Sequence, residues 1–309
     1  MSRSWSLDGK VAFITGPARG IGAETARMLA ARGMRCALVG MEPQRLEALA
    51  RELGPAHMWC ECDVTDQQAL DSAVARTVER FGGIDLVVAN AGIASMGTVA
   101  SAPVEALARV IEVNLIGVLR TVKATVVHVK ARRGYFLLVS SAAAFSAMPG
   151  LSAYAASKAG VEHFGNVLRL ELERDGVQVG TAHMTWIDTD MVRDARRDMS
   201  AFERTIRRMP GVFGTITSVE ACAQAFVVGC EQRARRIFVP KGLGTASALR
   251  QLLNSALLGR LTRGQMVAMY EDGERETAAL GRAFGEHSVG MGATANRERP
   301  GTDKGRSSN

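Results

Sequence analysis

The chain has 309 residues, 47% hydrophobic and 22% charged, with a formal charge of +7 at pH 7, a balance typical of globular proteins rather than disordered or fibrous ones. No apolar run reaches the roughly 18 residues that a membrane-spanning helix needs, and the N-terminal stretch lacks the apolar core of a signal peptide. The five cysteines (Cys36, Cys60, Cys62, Cys222 and Cys230) are scattered, with no CxxC pair and no histidine at ligand spacing, so reduced cytoplasmic thiols and no metal site are expected.

Apolar, β-rich runs alternate with helical patterns. The run KVAFIT (10–15) reads as a buried strand, and 23–33 as a helix closed by Gly33. RCALVG (35–40) is a second strand, followed by a helix at 43–53 with Pro43 in its first turn. Strands at 57–64 and 84–92 flank a helix at 66–81, and a long helical pattern covers about 103–132. Then come a strand at 135–141, a helix over about 152–174 and a strand at 177–184. Thr217 and Glu220 stand at capping-box spacing before a helix that runs to about 231. RRIFVP (235–240) is the last strand. Seven strands alternating with helices predict a doubly wound parallel sheet of the α/β class, because parallel strands require crossovers.

The sheet and its helices are expected to form one domain over 1–245, followed by a helical extension over 246–285 and a polar, disordered tail over 286–309. In the extension, Leu249, Leu252, Leu253, Ala256, Leu257 and Leu261 fall on one stripe of an amphipathic helix at 246–261. Residues 232–270 hold seven Arg or Lys and no Asp or Glu. That is a solvated basic face or a surface for an anionic partner. Weak contact with a membrane surface through 246–261 is one reading, and packing on the domain or on a second subunit is the other. Nucleic acid is not an expected partner.

The turn TGPARGIG (15–22) joins the first strand to the first helix. Gly16 permits a sharp turn, while Gly20 and Gly22 let backbone approach a pyrophosphate at a helix N-terminus, whose N–H groups and dipole favour anions. No Gly-Lys-Ser/Thr follows, so this is not a Walker loop.

The strand at 135–141 ends in Ser140 and Ser141, at the sheet edge where ligands of open α/β folds bind. The next helix carries Tyr154 and Lys158 four residues apart, on one face beside that edge. Reduction of a carbonyl needs a proton for the nascent alkoxide. A phenol ordinarily titrates near pH 10, and a neighbouring ammonium lowers that value. Lys158 is placed to do this for Tyr154.

With its Gly-x3-Gly-x-Gly spacing, the chain resembles the short-chain dehydrogenase/reductase family. NAG (90–92), NLIG (114–117), SS (140–141), YAASK (154–158) and IDTDM (187–191) follow in order, and the resemblance covers about 7–240. It implies a Rossmann-fold, NAD(P)-dependent oxidoreductase acting on CH–OH groups. Tyr154 would be the general acid/base, Ser141 would polarise the substrate oxygen, and Lys158 would bind the nicotinamide ribose. Asn114 would hold a relay water, and an asparagine in mid-helix is otherwise unfavourable. The coenzyme would be held by Gly16, Arg19, Gly20, Ile21, Gly22, Asp63, Val64, Asn90, Ala91, Gly92, Tyr154, Lys158, Ile187 and Thr189. Asp63 reads equally as a strand-end cap. Met184 and Thr185 stand where the family usually has Pro-Gly.

Gly40 ends the second strand, where an NAD-preferring member tends to carry Asp, and Arg19 matches the basic residue of NADP-preferring members. NADP(H) is therefore expected over NAD(H), although Glu42 could accept from a ribose 2′-OH. The apolar stretch between Ser141 and Tyr154, with Ile93, Met96 and Trp186, suggests a hydrophobic alcohol or carbonyl substrate. The resemblance also implies a homodimer or homotetramer formed through the helices at 103–132 and 152–174. A nucleotide-binding regulatory protein on the same fold is the alternative.

Overall fold

The computed structural model describes residues 5–94, 97–198 and 200–280. Met96 and the tail at 286–309 therefore lie outside the described residues. Seven strands form one parallel sheet: β1 (Val11–Thr15), β2 (Arg35–Gly40), β3 (Met58–Glu61), β4 (Leu86–Ala89), β5 (Tyr135–Val139), β6 (Gln178–Met184) and β9 (Arg236–Val239). They lie side by side in the order β3-β2-β1-β4-β5-β6-β9. The strand order reverses between β1 and β4, which opens a crevice beyond their carboxyl ends.

Helices cover both faces. On one lie α1 (Gly20–Ala31), α2 (Pro43–Leu53) and α9 (Val219–Glu231); on the other lie α3 (Gln67–Phe81), α4 (Val104–Ile111), α5 (Gly117–Ala131) and α6 (Ser152–Leu172). Alternate strand residues feed the two layers. Phe13 and Val87 pack into the layer with α3 and α6, whereas Ile14 and Val88 pack into the layer with α1 and α9. This alternation, with both faces covered, is why each strand reads as a continuous apolar run.

The long pattern at 103–132 is not one regular helix. A π-helical turn over Glu112–Ile116 separates α4 from α5 and contains Asn114; such turns recur at functional sites. The cap of α9 is Ser218, whose side chain accepts from Ala221 N–H. Thr217 is instead committed to a short strand, β8 (Ile216–Thr217), paired with β7 (Trp186–Ile187). Between these strands run α7 (Asp190–Asp198) and α8 (Ser200–Arg208).

The expected single helix at 246–261 is broken into α10 (Leu243–Ala248), α11 (Arg250–Leu253) and α12 (Ala256–Leu280). The breaks fall at Leu249 and at Asn254–Ser255, so the leucine stripe splits. Leu249, Leu252, Leu257 and Leu261 are exposed, while Leu253 turns into a cavity. The extension is tied to the body by polar contacts. Arg250 lies 2.9 Å from the buried carboxylate of Glu162, Asn254 donates to Phe145 O at 3.1 Å, and Thr98 Oγ1 donates to Glu274 at 2.6 Å. Among the described residues, no helix is long and apolar enough to cross a membrane.

Candidate active site

The glycine turn is fixed by contacts that only glycine allows. Gly16 adopts φ +66°, and a Cβ there would sit 2.8 Å from Ala91 Cα. A Cβ on Gly22 would lie 2.6 Å from both Asn90 Nδ2 and Gly16 O. Asn90 Nδ2 donates to Thr15 O and Gly16 O at 3.1 and 3.0 Å, and the N–H groups of Asn90 and Ala91 donate to Thr15 Oγ1. These bonds clamp the end of β4 onto the turn. The turn, the first residues of α1, Gly40, Met41 and Glu42 line a cavity of about 240 Å3, and Asp63, Val64, Gly92, Ile187 and Thr189 line it further along. The first N–H groups of α1 receive no side-chain cap and carry the positive end of the helix dipole. A glycine floor that a Cβ would fill, beside uncapped helix N–H groups, fits the pyrophosphate of a nicotinamide dinucleotide.

Two ion pairs border this cavity. The Arg19 guanidinium forks onto the Glu42 carboxylate at 2.5–3.1 Å, 23 positions away, and its Nη1 is 3.9 Å from Asp190. Asp63 accepts from Thr65 N–H at 2.9 Å and from Arg109 at 3.1 Å. Burial alone would raise the Asp63 pKa, but the Thr65 and Arg109 bonds outweigh it and hold the carboxyl below its usual value. Both Asp63 oxygens thus serve as cap and ion-pair acceptor. Sequence reasoning missed Arg109, because nothing local links it to Asp63.

Beyond the crevice, Asn114 is fully buried. Its Oδ1 accepts from Ile93 N–H at 2.8 Å, and its Nδ2 donates to Ile93 O at 2.8 Å and to Ser157 Oγ at 3.2 Å. Lys158 is also buried, its Nζ donating to Val139 O at 2.9 Å. Desolvation lowers its pKa to about 8. Ser140 also lines the cradle, and its Oγ donates to Lys158 O at 2.8 Å, which ties the end of β5 to α6.

Tyr154 sits at the junction of the two cavities, and Lys158 Nζ lies 5.7 Å from its ring centroid. Burial raises the Tyr154 pKa, and the hydrogen bond with Ser141 opposes that shift. In the free chain burial dominates, and the Lys158 ammonium is directed to the Val139 carbonyl. His183, packed between Phe145 and Phe238, has Nδ1 3.3 Å from Ser141 O. Burial lowers its pKa, so it is neutral near pH 7.

The second cavity, about 520 Å3, is lined by Ser141, Met148, Tyr154, Trp186, Met191, Phe213, Leu258 and others. Trp186 is a wall of it, fixed by Nε1–H donation to Phe213 O at 2.8 Å. Thr185 N–H donates to Val239 O at 3.0 Å, and Thr185 lines both cavities, as do Met184, Met191 and Val192. Four arginines of α7 and α8 face acids: Arg193 pairs with Asp188, Arg197 with Asp194, and Arg196 and Arg207 with Glu203.

The family model described as short chain dehydrogenase matches residues 10–200. The chain is 34% identical over 197 residues to a trans-4-hydroxycyclohexanecarboxylate dehydrogenase of Sinomonas cyclohexanicum, covering 61% of this chain and 76% of that one. It is 35% identical over 228 residues to an uncharacterized NAD-dependent oxidoreductase of Mycobacterium tuberculosis, covering 68% and 81%. It is 33% identical over 189 residues to a 3-alpha-(or 20-beta)-hydroxysteroid dehydrogenase of the same species, covering 61% and 73%.

Proposed function

The chain belongs to the short-chain dehydrogenase family of NAD(P)-dependent oxidoreductases acting on CH–OH groups, and we propose that it interconverts a hydrophobic alcohol and its carbonyl compound with Tyr154 as general acid and base. The observation that carries this reading is the position of Tyr154 at the opening between a glycine-floored cradle and an apolar cavity that Ser141 also lines.

When bound, a nicotinamide coenzyme supplies or accepts the hydride. The protein handles the proton. In oxidation, Tyr154 Oη takes the hydroxyl proton while the Ser141 hydroxyl donates to the developing oxyanion; in reduction Tyr154 returns the proton to oxygen. Lys158, beside the ring, would hold the ribose hydroxyls and bias Tyr154 toward the phenolate once a ligand draws Nζ off Val139 O. Asn114, joined to Ile93 and Ser157, would hold a water that links Lys158 to solvent. Oxidation of a panel of hydrophobic secondary alcohols, followed at the nicotinamide absorbance, tests the reading. Turnover of none of them would overturn it.

For the coenzyme, NADP(H) is the preferred partner, because a guanidinium in the glycine turn can fork onto a 2′-phosphate. That phosphate must compete with Glu42, which holds Arg19 in the free chain. Calorimetry should find NADPH tighter than NADH, and a larger preference in Glu42→Gln. Tighter NADH binding in the wild type reverses the assignment. Exposed Val104, Val127, Val167 and Leu170 on α4, α5 and α6 support a homodimer or homotetramer through those helices, which sedimentation velocity would detect.

The exposure of Leu249, Leu252, Leu257 and Leu261 in a segment that also carries Arg250, Arg260 and Arg263 favours a second reading, weak attachment to an anionic lipid surface. Flotation of the full chain with anionic vesicles, lost when the four leucines become serine, is its test.

A further inference from the structure

The second cavity is lined in part by residues that follow the last sheet strand. Leu258, Thr262 and Met266 line it at four-residue intervals, so they form one face of α12. Leu257 and Leu261 lie on the outer side and are exposed. This wall is held in place by Glu274 on Thr98 and by Asp272, 3.8 Å from Arg204 of α8. The amphipathic pattern of the extension therefore has an inner side that belongs to the substrate cavity.

The chemistry of the lining is one-sided. Among the described residues that line this cavity there is no Asp, Glu, Lys, Arg or His. Several arginines of the neighbouring α7 and α8 are bound to carboxylates, and none of them faces the cavity. A carboxylate or phosphate placed inside would lose water without gaining a counter-ion, which is strongly unfavourable. Met148, Met184, Met191, Met209 and Met266 also line the space. Unbranched thioethers adapt their shape to an apolar guest, and a volume of about 520 Å3 lies within the range of sites that enclose whole ligands.

We propose that the cavity selects an uncharged, bulky, apolar alcohol or ketone, and that α12 is its specificity wall. The reacting oxygen lies at Tyr154 and Ser141. Leu258, Thr262 and Met266 contact the end of the skeleton farthest from it. This inference rests on the oxidoreductase reading for the reacting end, but its claim about size and charge is a claim about binding.

The test uses the full chain saturated with coenzyme and three probes: cyclohexanol, decahydro-2-naphthol, and the same decalin alcohol carrying a carboxylate on the distal ring. Calorimetry reads binding, and the nicotinamide absorbance reads turnover. Decahydro-2-naphthol should bind more tightly than cyclohexanol, and the carboxylated probe at least about tenfold more weakly than its neutral parent. Leu258→Trp fills the far end and should weaken the decalin alcohol at least about tenfold more than it weakens cyclohexanol. Leu258→Arg should narrow or invert the preference against the carboxylate. Coenzyme affinity, read on the same samples, reports that both variants are folded. Equal affinity for charged and neutral decalin probes, or equal losses for large and small alcohols in Leu258→Trp, overturns the inference. If binding follows the expected pattern but no probe is oxidised, the cavity assignment stands and the catalytic reading fails. If the probes are oxidised without that discrimination, the catalytic reading stands and the cavity assignment fails.

Discussion

The coenzyme cradle is built from backbone, whereas the substrate cavity beside it is built from side chains. In the cradle, Gly16 and Gly22 leave no room for a Cβ, and the side chains of Asn90 and Thr15 lock β4 to the turn by bonds to main-chain groups. Its elements are neighbours at the switch point of the sheet. The cavity instead gathers the side chains of several methionines, Trp186, Phe213 and Leu258. Backbone geometry tolerates few substitutions and serves a constant ligand. A wall of flexible side chains can be re-cut without disturbing the sheet, so the two halves of the site can change independently.

Tyr154 joins the two halves, and its loss is the largest expected effect. Tyr154→Phe should reduce kcat by about 10²–10⁴-fold, the range of a positioned acid/base, while coenzyme affinity falls far less. Near-wild-type turnover would remove Tyr154 from the chemistry. A smaller effect isolates the cradle. Gly16→Ala forces a side chain into φ +66° against Ala91, so it should cost about 2 kcal/mol in urea denaturation and weaken both coenzymes. An unchanged midpoint would mean that the turn can relax.

The third test separates the halves by pH. Lys158 titrates at about 8 in the free chain because burial disfavours its charge. The ammonium is the form that donates to a ribose, so the bound state holds a proton that the free chain has lost above that pH. Coenzyme affinity should therefore be flat below about pH 8 and fall about tenfold per unit above it. Affinity for a neutral alcohol in the second cavity has no such dependence. Lys158→Met should flatten the coenzyme profile, and a persistent slope in that variant would assign the titration to another group.

Much of this contrast was legible in the sequence, for physical reasons. The seven strands, the glycine turn and the Ser141, Tyr154 and Lys158 group are each written in a short contiguous stretch, where spacing alone fixes geometry. The Arg19–Glu42 fork and the Asp63–Arg109 pair span 23 and 46 positions, so no local pattern announces them. The Ser218 cap was displaced by one residue because Thr217 is drawn into a strand with Ile187. The stripe at 246–261 said that one helix face was apolar, but not what that face meets. Two breaks, at Leu249 and at Asn254–Ser255, turn its parts in different directions.

The smallest expected effect reaches the cavity from outside. Glu162 is buried on α6, with Arg250 at 2.9 Å and Arg236 at 3.9 Å. Arg250→Ala removes the closer partner from a desolvated carboxylate. Because the Arg250 side chain is itself 41% exposed, the cost should be about 1 kcal/mol rather than the larger value of a fully buried pair. The loss falls where α11 leads into α12, so the far wall should loosen while the cradle stays intact. KM for a bulky neutral alcohol should rise, with kcat and coenzyme affinity close to wild type, and Arg250→Lys should restore part of the loss. An equal rise in KM for cyclohexanol would mean that Arg250 supports the whole site, because a small substrate bound near Tyr154 has no contact with the far wall to lose.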